Sequence, residues 1–394
     1  MFHSLKEKAL EKEMNNFIFF SQKKWPRLRL KYKQKMASRC KLCINTEYYS
    51  SLNKEGICQE CESISAGIKQ NAGLSQKLGD QKQCEELKNL ITSQQGKGDH
   101  YDAMILFSGG KDSIFILKEL TEQFKQLRIL AFTLDNGFMS PYALNNIHSI
   151  LDKRKQVDFL FFKTSLFKKI IAYILTHLPD DTGYSLVDHY DGYLTFDIAR
   201  YIADSFNIPL VFAGLNYPQA YEYFHSEWEC LPEKELQARK KILTLDVSAV
   251  INAKEKSFWK PNYKQHSRCK LLFPLAAWKT DEIMIQKEII AAGLSSVSAT
   301  HKLNFNTLHP LITNSRFLSL LWLLDYKKFG YSTTEPKVSE MIRSGKSDRA
   351  FWLNNYQAIE YLAKRDSFLN LNINQLLEEL NLTHADVGLC HIGN

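Results

Sequence analysis

The sequence predicts an α/β fold: a doubly wound parallel sheet, with a four-cysteine metal ribbon before it and a helical region after it. Three observations carry this. From residue 101, apolar strands alternate with amphipathic helices, the pattern of a parallel sheet covered on both faces. Cys40, Cys43, Cys58 and Cys61 form C-x2-C-x14-C-x2-C, two chelating pairs at metal-ribbon spacing. Beyond about residue 300, helical periodicity dominates.

Taken in order, residues 1–39 are strongly basic, with eleven Lys or Arg against three acids, while the remaining residues carry forty of each. The net charge of +8 therefore belongs to an N-terminal arm, whose partner is an anion or solvent. Within it "EKALEKEMNNFIFF" has a loose helical pattern, and "RLRLKYK" (27–33) alternates as a short strand with one cationic face. The ribbon is expected over 40–66 and a polar helical linker over 67–98. A sheet domain follows over 99–300, and C-terminal helices over 301–394. Strands are expected at "YDAMILFS", "LRILAFTLDNG", "VDFLFFKT" and "IPLVFAGLN". Helices are expected between them, and later at "SRFLSLLWLLDYKKFG", "VSEMIRSG", "DRAFWLNNYQAIEYLAKR" and "INQLLEELN". No apolar run reaches membrane-span length, and "FIFF" is too short for a signal-peptide core, so a cytoplasmic protein is expected. Eight cysteines in 394 residues without a leader do not suggest a disulfide scaffold.

Four thiolates leave no open coordination position, so the ribbon's metal is expected to be structural zinc, with an iron–sulfur cluster as the competitor. Gly56 permits the tight turn between the pairs. "FSGGKDS" (107–113) sits between a strand and a helix, as an anion-binding turn does. It is not a Walker loop: Ile105 stands at the first glycine's place, and Asp112 follows Lys111 where Ser or Thr is required. Gly109 and Gly110 let backbone amides converge on a phosphate. Ser108, Ser113 and Lys111 add donors and charge, and a carboxylate at Asp112 makes sense if it holds magnesium.

These six residues resemble the signature of the PP-loop ATP pyrophosphatases. The resemblance implies a HUP-like adenine nucleotide alpha-hydrolase fold and ATP cleavage between the α- and β-phosphates. An oxygen is adenylated, and a nucleophile then displaces AMP. It implies ATP and Mg2+ as cofactors, Lys111 and Asp112 as catalytic residues, and Ser108, Gly109, Gly110 and Ser113 as nucleotide contacts. "LAFTLDNG" (130–137) and "VFAGLN" (211–216) resemble later strands of that superfamily. They add Asp135, equally readable as a turn carboxylate, and Gly214.

The order of the cysteine ribbon, the loop and "YKKFGYSTTEPKVSEMIRSGKSDRA" (326–350) resembles the N-acetyl sugar amidotransferase family of surface-polysaccharide (LPS) biosynthesis. Lys328, Phe329, Gly330, Ile342, Arg343, Gly345 and Arg349 stand at matching places. That resemblance implies replacement of an N-acetyl oxygen by ammonia from a separate glutaminase subunit, on a sugar or sugar nucleotide. Asn216, Arg343 and Arg349 are the expected acceptor contacts; surface salt bridges are the other reading of the arginines. The chain departs from the family where "LDNGFMSP" replaces W-x-P-H-type residues and Leu215 replaces a glutamate. The competing function is sulfur transfer to tRNA or a small molecule. The basic arm favours it, and Cys230 and Cys269 are its candidate persulfide pair. A binding module without turnover is the third class.

Overall fold

The structure, a computed structural model, describes residues 5–66, 81–260, 268–278, 280, 282–292, 315–345 and 347–389. His266 and Cys390 lie outside them. Two compact units divide the chain: Met1–Gln76 with Leu175–Ser185 and Ser298–Asn394, and Lys77–Ile174 with Leu186–Val297.

The chain begins with α1 (Leu5–Phe19), runs through a π turn at Phe20–Lys24, and continues as α2 (Trp25–Tyr32). Residues 27–33, expected as a strand, are thus helical. The reason lies in their flanks. Met14, Phe17, Ile18, Ser21 and Trp25 are buried at three- and four-residue spacing, while Leu30, central to the apparent alternation, is 78% exposed. A period of 3.6 set by the longer segment overrides a period of 2 read in seven residues. The cysteine ribbon follows and ends in α3 (Gln59–Ser65).

Residues expected as linker form α4 (Gln81–Gln94), whose Leu87 and Ile91 belong to the second unit's apolar core. Then come β1 (Ala103–Leu106), α5 (Lys111–Gln123), β2 (Ile129–Asp135), α6 (Pro141–Leu151), β3 (Val157–Lys163), α7 (Leu166–His177) and α8 (Leu186–Ser205). After these stand β4 (Leu210–Phe212), α9 (Tyr217–Phe224), α10 (Pro232–Ile242), β5 (Lys270–Leu272), α11 (Pro274–Ala277) and α12 (Glu282–Ala291). The strands form one parallel sheet in the order β3-β2-β1-β4-β5. This is the doubly wound arrangement expected. The order reverses at β1, so the carboxyl ends of β1 and β4 flank the switch point where ligands bind in such sheets. Strand β5 is too short for periodicity to disclose.

Gly192 lies inside α8, where a side chain would come 2.7 Å from the Tyr223 ring, so glycine permits close packing. On the far side of α8, Arg239 is fully buried between Asp197 (2.6 Å) and Glu235 (2.8 Å), with Arg200 on the same Glu235 (2.7 Å). Burial works against Glu235's charge, but Arg200 and Arg239 hold its pKa at about 2. Removing one member leaves the others charged and unpaired. Arg239→Met should therefore cost about 3–5 kcal/mol, read as a lowered urea midpoint at constant slope; an unchanged midpoint would contradict the network's importance.

The chain closes with α13 (Leu318–Phe329), α14 (Glu335–Arg343), α15 (Arg349–Ala363) and α16 (Asn370–Leu380). The basic N-terminal segment packs on these helices rather than standing off as an arm. Trp25 donates to Gln357 (3.2 Å) and Gln22 to the Phe351 carbonyl (3.1 Å). The Glu13 carboxylate accepts from the Leu371 and Asn372 amides in the first turn of α16 (2.9 Å each). Arg39, counted among the arm's cations, is an internal residue bonded to Glu335, Glu360 and Tyr326.

Candidate functional site: a phosphate loop and a four-thiolate centre

In the second unit, β1 delivers the chain to Phe107, whose amide still bonds to the Phe132 carbonyl (2.8 Å). The turn that follows depends on Gly109 (φ +72°). A Cβ there would lie 2.3 Å from the Ala143 carbonyl oxygen of α6, and left-handed backbone disfavours any side chain. Asn146 of α6 holds the same turn by donating to the Gly109 carbonyl (2.8 Å). Gly110 is the N-cap of α5 and no side chain caps that end, which leaves the helix's first amides directed at an anion position. Around it stand the Ser108 and Ser113 hydroxyls, 3.4 Å apart, and the Lys111–Asp112 pair at 2.8 Å.

The end of β4 closes on this turn. At Gly214 a Cβ would lie 3.2 Å from Asp112 Cβ and 3.3 Å from the Ser113 amide, so two segments a hundred residues apart in sequence meet at the switch point. Asp135 ends β2, where it pairs with Lys163 (3.0 Å) and accepts from the Gly137 amide (2.7 Å). That is the turn-carboxylate geometry. Asn216 caps α9 in a reciprocal capping box with Gln219.

A polar group not singled out in the sequence lies beyond the end of β2. Asn136 donates to Asp191 of α8 (3.1 Å), and His189, two residues earlier on α8, meets Glu222 of α9 (2.9 Å). Linear spacing offers no signal for it, since its members come from three separate elements. Burial, opposed by the Asn136 hydrogen bond and reinforced by Asp188, pushes Asp191 up to about 7. An unfolded aspartate titrates near ~3.9. Between those values the folded chain binds the extra proton, so this contribution to stability is full below the unfolded pKa and is lost as pH rises through about 7. The urea midpoint of Asp191→Asn should depend less on pH over that window than the parent's; parallel curves would contradict the assignment.

Cys230 and Cys269, the candidate persulfide pair, are both buried. Burial pushes the Cys230 thiol well up, and it donates to Glu235 (3.1 Å) within the buried ion network. Cys269 is buried just before β5, at the sheet's amino end.

In the first unit the Cys40, Cys43, Cys58 and Cys61 sulfurs are buried and all within 4.8 Å of one another. Cys43 and Cys58 are 3.6 Å apart, close to the ~3.8 Å edge of a tetrahedron with metal–sulfur bonds of ~2.3 Å. Amides of Cys58 and Asn45 approach Cys40 Sγ (3.3 Å) and Cys43 Sγ (3.4 Å). This donor set fits a closed, four-thiolate metal centre. Gly56 makes the expected turn at φ +77°. The two arginines expected at the acceptor are placed here. Arg349 donates to the Cys40 and Cys43 carbonyls (2.7 Å each). Burial disfavours Arg343's charge, but the Cys43 and Cys61 sulfurs hold its pKa above the ordinary value.

No protein-family model matches the sequence. An uncharacterized protein of Methanocaldococcus jannaschii is 30% identical over 139 residues, 34% of this chain and 46% of its own length. The chain thus spans about half the length of the curated relative it matches. The U34-tRNA thiolase NcsA of Methanococcus maripaludis, solved with its 4Fe-4S cluster, is 14% identical, covering 79% of this chain and 87% of that one. At a TM-score of 0.30 that likeness carries no functional argument. Among the described residues, no helix is long and apolar enough to cross a membrane.

Proposed function

We propose that the chain is an ATP-dependent enzyme forming AMP and pyrophosphate, an amidotransferase that exchanges an acceptor's amide oxygen for nitrogen. The observation that carries it is the uncapped turn before α5, where Asp112 replaces the Walker hydroxyl and Gly214 meets the loop. The α5 amides with Ser108 and Ser113 hold the phosphates. Lys111 bears on the departing pyrophosphate, and Asp112 is placed to hold a magnesium ion. Such an ion, when bound, neutralises developing charge on the phosphates.

The chemistry balances as follows. The amide oxygen attacks the α-phosphorus and pyrophosphate leaves. Ammonia then adds to the activated carbon, gives up a proton, and AMP departs carrying the acceptor's oxygen. An amide oxygen is a poor leaving group, and adenylation converts it into a good one. Nitrogen rather than sulfur is favoured because the Cys230 thiol is buried and committed to Glu235. The acceptor class, an N-acetylated sugar or sugar nucleotide, and the separate glutaminase subunit rest on the sequence resemblance alone.

The test supplies ATP, magnesium and an N-acetylated sugar nucleotide labelled with heavy oxygen in its acetyl group, with ammonium in one arm and sulfide in the other. Heavy oxygen in AMP together with an oxygen-to-NH mass change in the acceptor supports the reading. A sulfur-containing product in place of it overturns the amidotransferase.

A further inference from the structure

The segment from Met14 to Thr46 contains no Asp or Glu, yet it is not a disordered tail: α1, the π turn and α2 pack against α15 and α16. That packing orients its charge. Lys23 and Lys24 end the π turn, Arg27 and Lys31 follow on one side of α2, and Lys35 closes the 3-10 turn after it; all five are exposed. On the other side of α2 Trp25 is buried and Arg29 donates to Asn354 (3.3 Å). Lys23, Arg27 and Lys31 follow one another at four-residue steps. Side chains so spaced lie roughly 5–6 Å apart, comparable to successive phosphates on a nucleic-acid strand.

An aromatic cluster sits at the carboxyl end of α2. Tyr32 and Tyr361 have ring centroids 4.9 Å apart. The exposed Arg365 guanidinium lies 3.8 Å from the Tyr361 ring centre and 5.1 Å from that of Tyr32. The two ring planes are tilted by 54°, so what the cluster presents at the surface is the planar Arg365 cation, on which an unpaired base can stack.

We infer that the exposed cations of the N-terminal helices, with the Tyr32–Tyr361–Arg365 cluster, are a binding surface for single-stranded nucleic acid. A membrane is the less favoured partner, because the apolar side of these helices is occupied by the protein's own core. A duplex is less favoured because its bases are not free to stack. The inference goes beyond the ATP-site reading and is tested without ATP.

The experiment titrates the full-length protein against fluorescent single-stranded RNA, DNA of the same sequence, and the RNA duplex, and sediments it with phosphatidylserine vesicles. Affinity for the single strands should exceed that for the duplex and fall steeply with salt. Which of RNA and DNA binds tighter identifies the source of the strand. In the variant Lys23→Gln/Arg27→Gln/Lys31→Gln/Lys35→Gln, the log K against log salt slope should drop by about 3, at ~0.7 per phosphate. Arg365→Met should narrow the preference for single strands. All these substitutions are at exposed positions, and a circular-dichroism melt matching the parent's verifies the fold. Failure of the parent to bind any strand, an unaltered slope in the variant, or retention on vesicles alone overturns the inference.

Discussion

Asp112→Asn should lower AMP release by more than about 100-fold, beyond what loss of a group merely supporting a metal ligand costs. The substitution keeps the shape at the first turn of α5 and removes the one carboxylate there. Lys111 contacts Asp112 at 2.8 Å, so Asp112→Asn also removes a carboxylate that competes with phosphate for the lysine. ATP binding should persist, or tighten, while turnover disappears. Titration with a fluorescent ATP analogue separates the two effects. Retained AMP release at the parental rate would remove Asp112 from the chemistry. The contrast with a Walker loop is physical: there a hydroxyl touches the metal and a more distant aspartate supports it, whereas here the loop itself carries the charge.

Cys58→Ser should release the metal and unfold the ribbon. Structural zinc in so small a module supplies roughly 10 kcal/mol or more, more than the whole stability of many domains. Cys58 faces Cys43 at 3.6 Å, and its own amide approaches Cys40 Sγ, so one substitution disturbs both chelating pairs. The damage should spread within the first unit, because Arg349 is anchored on the Cys40 and Cys43 carbonyls. Elemental analysis should find about one zinc per parent chain and none in the variant, with rapid proteolysis near residues 40–66. Iron with inorganic sulfide in the parent would replace zinc by a cluster. Full metal retention by the variant would refute the four-thiolate site.

What was legible in the sequence was whatever depends on local spacing. The alternation of strands and helices gave the parallel sheet, and four cysteines at fixed intervals gave the metal centre. Misreadings occurred where long-range packing decides. "RLRLKYK" alternates by accident, and its helix is fixed by Trp25 packing on α15. Arg39 counts as surface charge in composition but is an internal ion-pair member. The candidate site divides in the same way. The loop residues are contiguous, and Gly214 is expected only through its strand's resemblance. Asn136, Asp191, His189 and Glu222 come from separate elements and leave no pattern.

The bond of ATP that breaks distinguishes an AMP-forming loop from an ordinary phosphate-transfer loop. With ATP labelled at both the α- and γ-phosphates, magnesium, ammonium and an N-acetylated sugar nucleotide, the products can be resolved and counted. The loop predicts AMP and pyrophosphate in equal amounts, dependent on Asp112. ADP with inorganic phosphate would contradict it and return the turn to the ordinary phosphate-transfer class.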